Sequence, residues 1–168
     1  MNDPQGLLGS PGTYFPSIRV TSHREGDPNT PFAKVLEGII NSTGDVIKWL
    51  KEQLELIDQI DEAEELASSL PDNQGVYLVP AFVGLGAPYW NPYTRAAILG
   101  MSRNTGKAHI VRAALESIAY QVKDVVELMQ TESSIHIKSL NVDGGATSNR
   151  FLMQYQADML ETEINASE

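Results

Sequence analysis

The chain has 168 residues, 42% of them hydrophobic and 20% charged, with a formal net charge of −10. That length suits one domain with a sizeable core. The acid excess argues against a nucleic-acid partner, whose phosphate backbone needs a basic face. There is no cysteine, which excludes disulfides and thiolate metal sites. No apolar run approaches the ~18 residues of a membrane span, and "MNDPQGLLGSPGTYF" lacks the regions of a signal peptide. A cytoplasmic setting without a membrane partner is expected.

Residues 1–31 are rich in Gly, Pro, Ser, Asn and Asp and read as an irregular arm with one short strand, "SIRVTS". Residues 32–168 then form the expected domain. "AKVLEGII" reads as a buried strand, although Gly38 is unusual inside one. "NSTGD" interrupts, and Val46, Ile47, Leu50, Leu54 and Ile57 follow at helical spacing, with Ser42 or Thr43 as N-cap and Asp45 in the first turn. "EQLELIDQIDEAEEL" concentrates much of the acid and reads as a solvated helical face. "DEAEELASSL" is a short helix within this region, ended by Pro71 and Gly75.

"VYLVPAF" is a strand candidate that runs into the aromatic, proline-rich loop "VGLGAPYWNPYT", and "RAAILGMS" is the next strand. Tyr89, Trp90 and Tyr93 either form a stacking surface or anchor that loop in the core, the commoner arrangement. The longest helix is "KAHIVRAALESIAYQVKDVVELMQ", with a buried stripe of Ile110, Ala114, Ile118, Val122, Val125 and Met129. "IKSLNV" is a strand, and "TEINA" closes the series. Strands alternating with helices indicate an α/β domain.

Two glycine-bearing turns precede helices, at Gly44 and at Gly144–Gly145. The second lies in "LNVDGGATSN", where Asp143 ends the strand and Phe151, Leu152, Tyr155, Met159 and Leu160 resume at helical spacing. Such turns offer backbone amides at a positive helix end, which suits a nucleotide phosphate, although an ordinary strand-to-helix turn has the same pattern. Ligands of α/β sheets gather at strand carboxyl ends, so both turns could border one cleft. Asp143 could face a metal-bound nucleotide or cap nearby amides. Neither a Walker loop nor a GxGxxG turn opens a helix, and "GLGAP" is too short for a dinucleotide fingerprint. His23, His109 and His136 lack metal-ligand spacing and read as solvated or structural.

"VYLVPAFVGLGAPYWNPYTRAAILGMSR", "HIVRAALESIAYQVKDVVELM" and "LNVDGGATSNRFLMQYQADML" strongly resemble the C-terminal domain of the FGGY carbohydrate kinases. "GLGAPYW" with "ALESIAYQ" points to the glycerol kinase branch. The resemblance covers about residues 35 to 166. It implies part of an actin-like ATPase (ribonuclease H-like) α/β domain, a mixed sheet with flanking helices. It also implies ATP or ADP with Mg²⁺ as ligand, and a parent reaction of ATP with glycerol giving glycerol 3-phosphate and ADP.

Gly44, Gly144, Gly145 and Asn149 match the family's adenine-nucleotide contacts. Lys48 falls where glycerol kinases commonly place a glutamine, and it lacks the amide's acceptor. The family's catalytic aspartate and glycerol contacts precede the matching segments, so no catalytic residue is assigned. "GDPNT" at Gly26 differs from the aspartate motif, and Gly12–Thr13 is only a faint match to the threonine-bearing phosphate loop. The implied partners are an adenine nucleotide and an N-terminal kinase domain, and a strand edge or apolar face that such a domain would cover favours pairing with a second copy of the chain. The other expectation is a non-catalytic interaction domain on a kinase fold.

Overall fold

The computed structural model describes residues 17–22, 34–134 and 136–166, with side chains from residue 38 onward. "GDPNT", Gly12–Thr13 and His23 lie outside these residues, as does most of the arm. β1 (Ser17–Ser22) is the short strand expected there. It pairs antiparallel with β2 (Lys34–Ile39), Ser17 opposite Ile39. β2 crosses the long helix α3 (Lys107–Ser133) so closely that a Cβ on Gly38 would stand 2.2 Å from Val125 Cγ1. The glycine within this strand is therefore a close-approach residue.

α1 (Gly44–Glu52) buries Val46, Ile47 and Leu50. Its N-cap is Thr43, whose own amide donates to Asp45 Oδ1 at 2.6 Å. Helical spacing predicts continuation to Ile57, but the helix stops at Glu52. The chain turns at Glu55, which has a φ of 52°, and the Leu56 N–H donates to Leu50 O at 3.0 Å. No glycine or proline marks that stop. Ile57 still reaches the core from the irregular segment, whereas Leu54 is exposed. α2 (Glu62–Ser68) follows and buries Ala63 and Ala67.

β3 (Tyr77–Val79) and β4 (Ala97–Leu99) pair antiparallel, and β5 (Ser139–Val142) pairs parallel with β6 (Glu163–Ala166). Among the described residues the strands thus form three two-stranded sheets, where the sequence suggests one mixed sheet. A 3₁₀ turn, Gly145–Ser148, precedes α4 (Arg150–Leu160).

α3 is the spine. Val111, Ala114, Leu115 and Ile118 pack in a cluster with Val46, Leu50, Ala63, Leu78 and Leu152. Further along, Val122, Val125, Val126 and Met129 pack with Ile40 and Ile137. A polar seam ties α3 to its neighbours. Glu116 is 2% exposed; it accepts from Arg112 Nε and from Asn73 Nδ2, both at 2.7 Å. The Arg112 guanidinium also donates to the carbonyls of Ala67, in the last turn of α2, and Leu70, just beyond it, and lies 5.0 Å from the centre of the Phe151 ring on α4. One cation thus binds carbonyls at and after the end of α2 and contacts an aromatic ring on a second helix. Beside it the hydroxyls of Tyr120 and Tyr155 meet at 2.8 Å.

Candidate functional site

Both glycine turns open onto one cavity of about 810 Å³. One wall is Asn41, Thr43, Gly44 and Asp45, at the start of α1; the facing wall runs from Asp143 through Gly145 to Asn149 and Arg150. Ile47, Leu115 and Ile118 supply apolar floor, and Ile60, Asp61, Glu64 and Glu65 on and before α2 complete the rim. An apolar floor with a few oriented polar groups is the usual make-up of a small-molecule site.

The glycines here differ from those that serve packing. A Cβ added at Gly44, Gly144 or Gly145 would meet nothing within 4 Å, so these turns border open space. Gly144 also has a φ of +104°, which disfavours any side chain. By contrast, a Cβ at Gly100 would lie 1.8 Å from Gly75 O, and one at Gly84 2.7 Å from Pro92 Cα.

Asn149 is both the N-cap of α4 and part of the cavity wall. Its Oδ1 accepts from the Leu152 N–H at 2.9 Å, as an N-cap should. That bond assigns the side-chain orientation and leaves Nδ2, a donor, for a ligand. Asp143 takes the capping role, since its Oδ1 accepts from the Gly144 N–H at 2.7 Å. The Arg150 amide at the head of α4 donates to Glu64 Oε2 at 2.8 Å.

Four of the five residues implicated by sequence therefore meet at one cavity: Gly44, Gly144, Gly145 and Asn149. Lys48 is not in its wall. It sits one turn along α1, two-thirds exposed, with Nζ 3.8 Å from Glu52. Sequence reasoning missed Glu64 and its neighbours, because an acidic helix reads as a solvated face. The coincidence of that helix with the glycine turns is tertiary and has no local signal.

The aromatic loop does not follow the commoner pattern. Phe82 packs on Trp49 at 5.0 Å between ring centres, but Tyr89, Trp90 and Tyr93 are exposed. The loop holds its own shape instead: Leu85 and Asn91 exchange backbone bonds of 2.8 and 3.0 Å, and Asn91 Oδ1 accepts from the amides of Tyr93 and Thr94. His109 is structural, accepting from the Gly106 N–H at 3.1 Å, and His136 is exposed. Among the described residues no group of three or more acidic or histidine side chains could hold a metal ion. Nor is any helix there long and apolar enough to cross a membrane.

A mixed α/β fold with helices flanking small sheets, and two glycine turns facing one cavity, is the architecture of part of a sugar-kinase-type domain. The chain belongs to the FGGY family of carbohydrate kinases: the family model of the C-terminal domain matches residues 19–168. Its relatives include glycerol kinases. Over 129 residues it is 59% identical to one from Saccharolobus islandicus and 58% identical to glycerol kinase 2 of Thermotoga maritima, each match covering 77% of this chain and 26% of the relative. The chain thus spans about a quarter of the length of these relatives.

The fold matches that of Plasmodium falciparum glycerol kinase crystallised with ADP, with a TM-score of 0.80 and 37% identity, over 90% of this chain and 30% of that one. A xylulose kinase from Rhodospirillum rubrum gives a TM-score of 0.75 at 22% identity, over 89% and 32%, which is likeness of fold.

Proposed function

We propose that this chain forms the adenosine-binding wall of a glycerol kinase, whose reaction is ATP with glycerol giving glycerol 3-phosphate and ADP. The observation that carries this reading is the meeting of the Gly44 and Gly144–Gly145 turns across one cavity. Likeness to the ADP-bound Plasmodium enzyme supports it. In this reading the nucleoside lies on the apolar floor, the backbone at Gly44 and Gly145 passes close to it, and Asn149 Nδ2 donates to it. Lys48 can swing toward the ligand, because an exposed pair such as Lys48–Glu52 holds it weakly.

Phosphoryl transfer needs the γ-phosphate and acceptor hydroxyl held in line, with a base beside the hydroxyl. We assign those tasks to an N-terminal kinase domain acting as partner, and no catalytic residue to this chain. Mg²⁺ would neutralise the phosphates; the described residues do not fit it as resident ligands. Residues 32–168 are proposed as the nucleotide-binding domain and 1–31 as an arm, in a cytoplasmic protein whose small sheets belong to a larger ribonuclease H-like one.

Calorimetric titration with ADP tests the reading. Binding that Gly145→Val abolishes is expected, since the valine would project into open space that the ligand fills. Unchanged ADP affinity in the folded variant would refute the placement. The exposed Tyr89, Trp90 and Tyr93 favour a second reading, a non-catalytic interaction domain that associates with itself or a partner through this loop.

A further inference from the structure

We infer that this cavity selects the uncharged nucleoside over its phosphorylated forms, so that the chain by itself binds adenosine more tightly than ADP or ATP. The inference rests on the adenine-nucleotide reading and adds the charge state of the preferred ligand. Glycine turns leading into helices ordinarily attract phosphate through unpaired amides and the positive helix end. Here the chain's own carboxylates already stand at those starts, each accepting an amide in or beside the turn. The Thr43 N–H donates to Asp45 at 2.6 Å, the Gly144 N–H to Asp143 at 2.7 Å, and the Arg150 N–H to Glu64 at 2.8 Å. A phosphate approaching either helix start must displace a carboxylate or lie against one.

The rest of the wall acts in the same direction. Asp45, Asp61, Glu64, Glu65 and Asp143 line the cavity, against one basic residue, Arg150, in the same lining. Like charges inside a partly enclosed site repel more strongly than in bulk water. A nucleoside avoids that cost. Its ribose hydroxyls and exocyclic amine are donors, which carboxylates accept, and its base suits the apolar floor. The phosphates of a nucleotide seated here would point out of the cavity, toward neutralising groups on other segments.

The test is titration calorimetry of the 168-residue chain with adenosine, ADP and ATP, in chelator and at two salt concentrations. Adenosine is expected to bind more tightly than ADP by on the order of tenfold, equivalent to about 1.4 kcal/mol. ATP should bind more weakly still. Added salt should strengthen ADP binding, because it screens a repulsion. The double substitution Glu64→Gln with Asp143→Asn keeps the acceptor oxygens and removes two charges. It should narrow the adenosine-to-ADP affinity ratio severalfold, and if it fails to fold the salt series decides alone. ADP binding as tightly as adenosine, or weakening with salt, would overturn the inference while leaving the nucleotide reading intact. Failure of both adenosine and ADP to bind would overturn the two together.

Discussion

The Glu64 carboxylate accepts the backbone N–H of Arg150 at 2.8 Å, fastening α2 to the first turn of α4 across 86 residues of sequence. The bond supplies an acceptor to an amide that a helix start leaves unpaired, and it brings a negative charge to the positive helix end. Glu64→Ala should lower the unfolding free energy by about 1 kcal/mol, the usual weight of a lost helix-capping acceptor. A urea midpoint equal to the parent's would argue that the contact carries no stability.

Asn149 has two roles that substitution can separate. Its Oδ1 caps α4 and its Nδ2 is left for a ligand. Asn149→Asp keeps the cap, since aspartate is as good an N-cap as asparagine, but loses the donor. The variant should unfold at nearly the parent's urea concentration and bind ADP at least tenfold more weakly, a loss of about 1.4 kcal/mol. Asn149→Ala should lose about 1 kcal/mol of stability as well. Wild-type affinity in the aspartate variant would remove Asn149 from the site.

Glycines sort by what surrounds them. Gly38→Ala would drive a methyl to 2.2 Å from Val125 Cγ1, and the rigid core side chain must move. The expected cost is about 1–3 kcal/mol, as for other overpacked sites. Gly145→Ala meets nothing within 4 Å and should leave stability within about 0.5 kcal/mol of the parent. Thermal unfolding of the two variants side by side checks this, and equal losses would contradict the distinction.

Much of this architecture was legible because helices and strands carry their own periods. The buried stripe of α3, from Ala114 to Met129, follows from 3.6-residue spacing, and "SIRVTS" and "TEINA" follow from alternation and flanking breakers. The end of α1 was not legible, because Glu55 adopts a positive φ without a glycine to announce it. In the site, the two glycine turns were visible as local chemistry. The acidic rim was not: Glu64 reaches the cavity because Ala63 and Ala67 bury against α3 and Arg112 binds the end of α2, contacts that no local spacing announces. The exposed aromatics went against the commoner pattern because backbone bonds, such as Leu85 with Asn91, shape that loop without burying its rings.

Arg112 and Glu116 form the buried pair of the polar seam, 11% and 2% exposed. Removing one partner strands the other in the core, which typically costs about 3–5 kcal/mol. Arg112→Ala should therefore unfold far below the parent's midpoint, and it also frees the carbonyls of Ala67 and Leu70. Arg112→Lys should rescue little, since an ammonium cannot reproduce the planar fork. Full stability in either variant would show that the seam is dispensable.

The tyrosine pair gives a pH dependence of definite sign. Burial first, then the hydrogen bond to Tyr155, raises the Tyr120 phenol above its ordinary 10.0. Burial chiefly raises Tyr155 as well. A folded-state pKa above the unfolded one gives stability that is fully present below the unfolded value and is lost as pH rises through the folded one. Stability should hold at neutral pH and fall above about pH 10. Tyr120→Phe should flatten that alkaline limb. In a difference titration of the parent against Tyr120→Phe, phenolate absorbance lost from the ordinary phenol range would refute the shift.

The cavity is bounded by the α1 turn, by α2, by the middle of α3 and by the start of α4, segments that only the finished fold brings together. Any small molecule that fills it acts as a removable cross-link present in the native state and absent from the unfolded one. Each tenfold rise of free ligand beyond its dissociation constant then adds about 1.4 kcal/mol to the work of unfolding. Since copies that open more often are degraded sooner, the standing amount of this protein in a cell would track the supply of the molecule that occupies it.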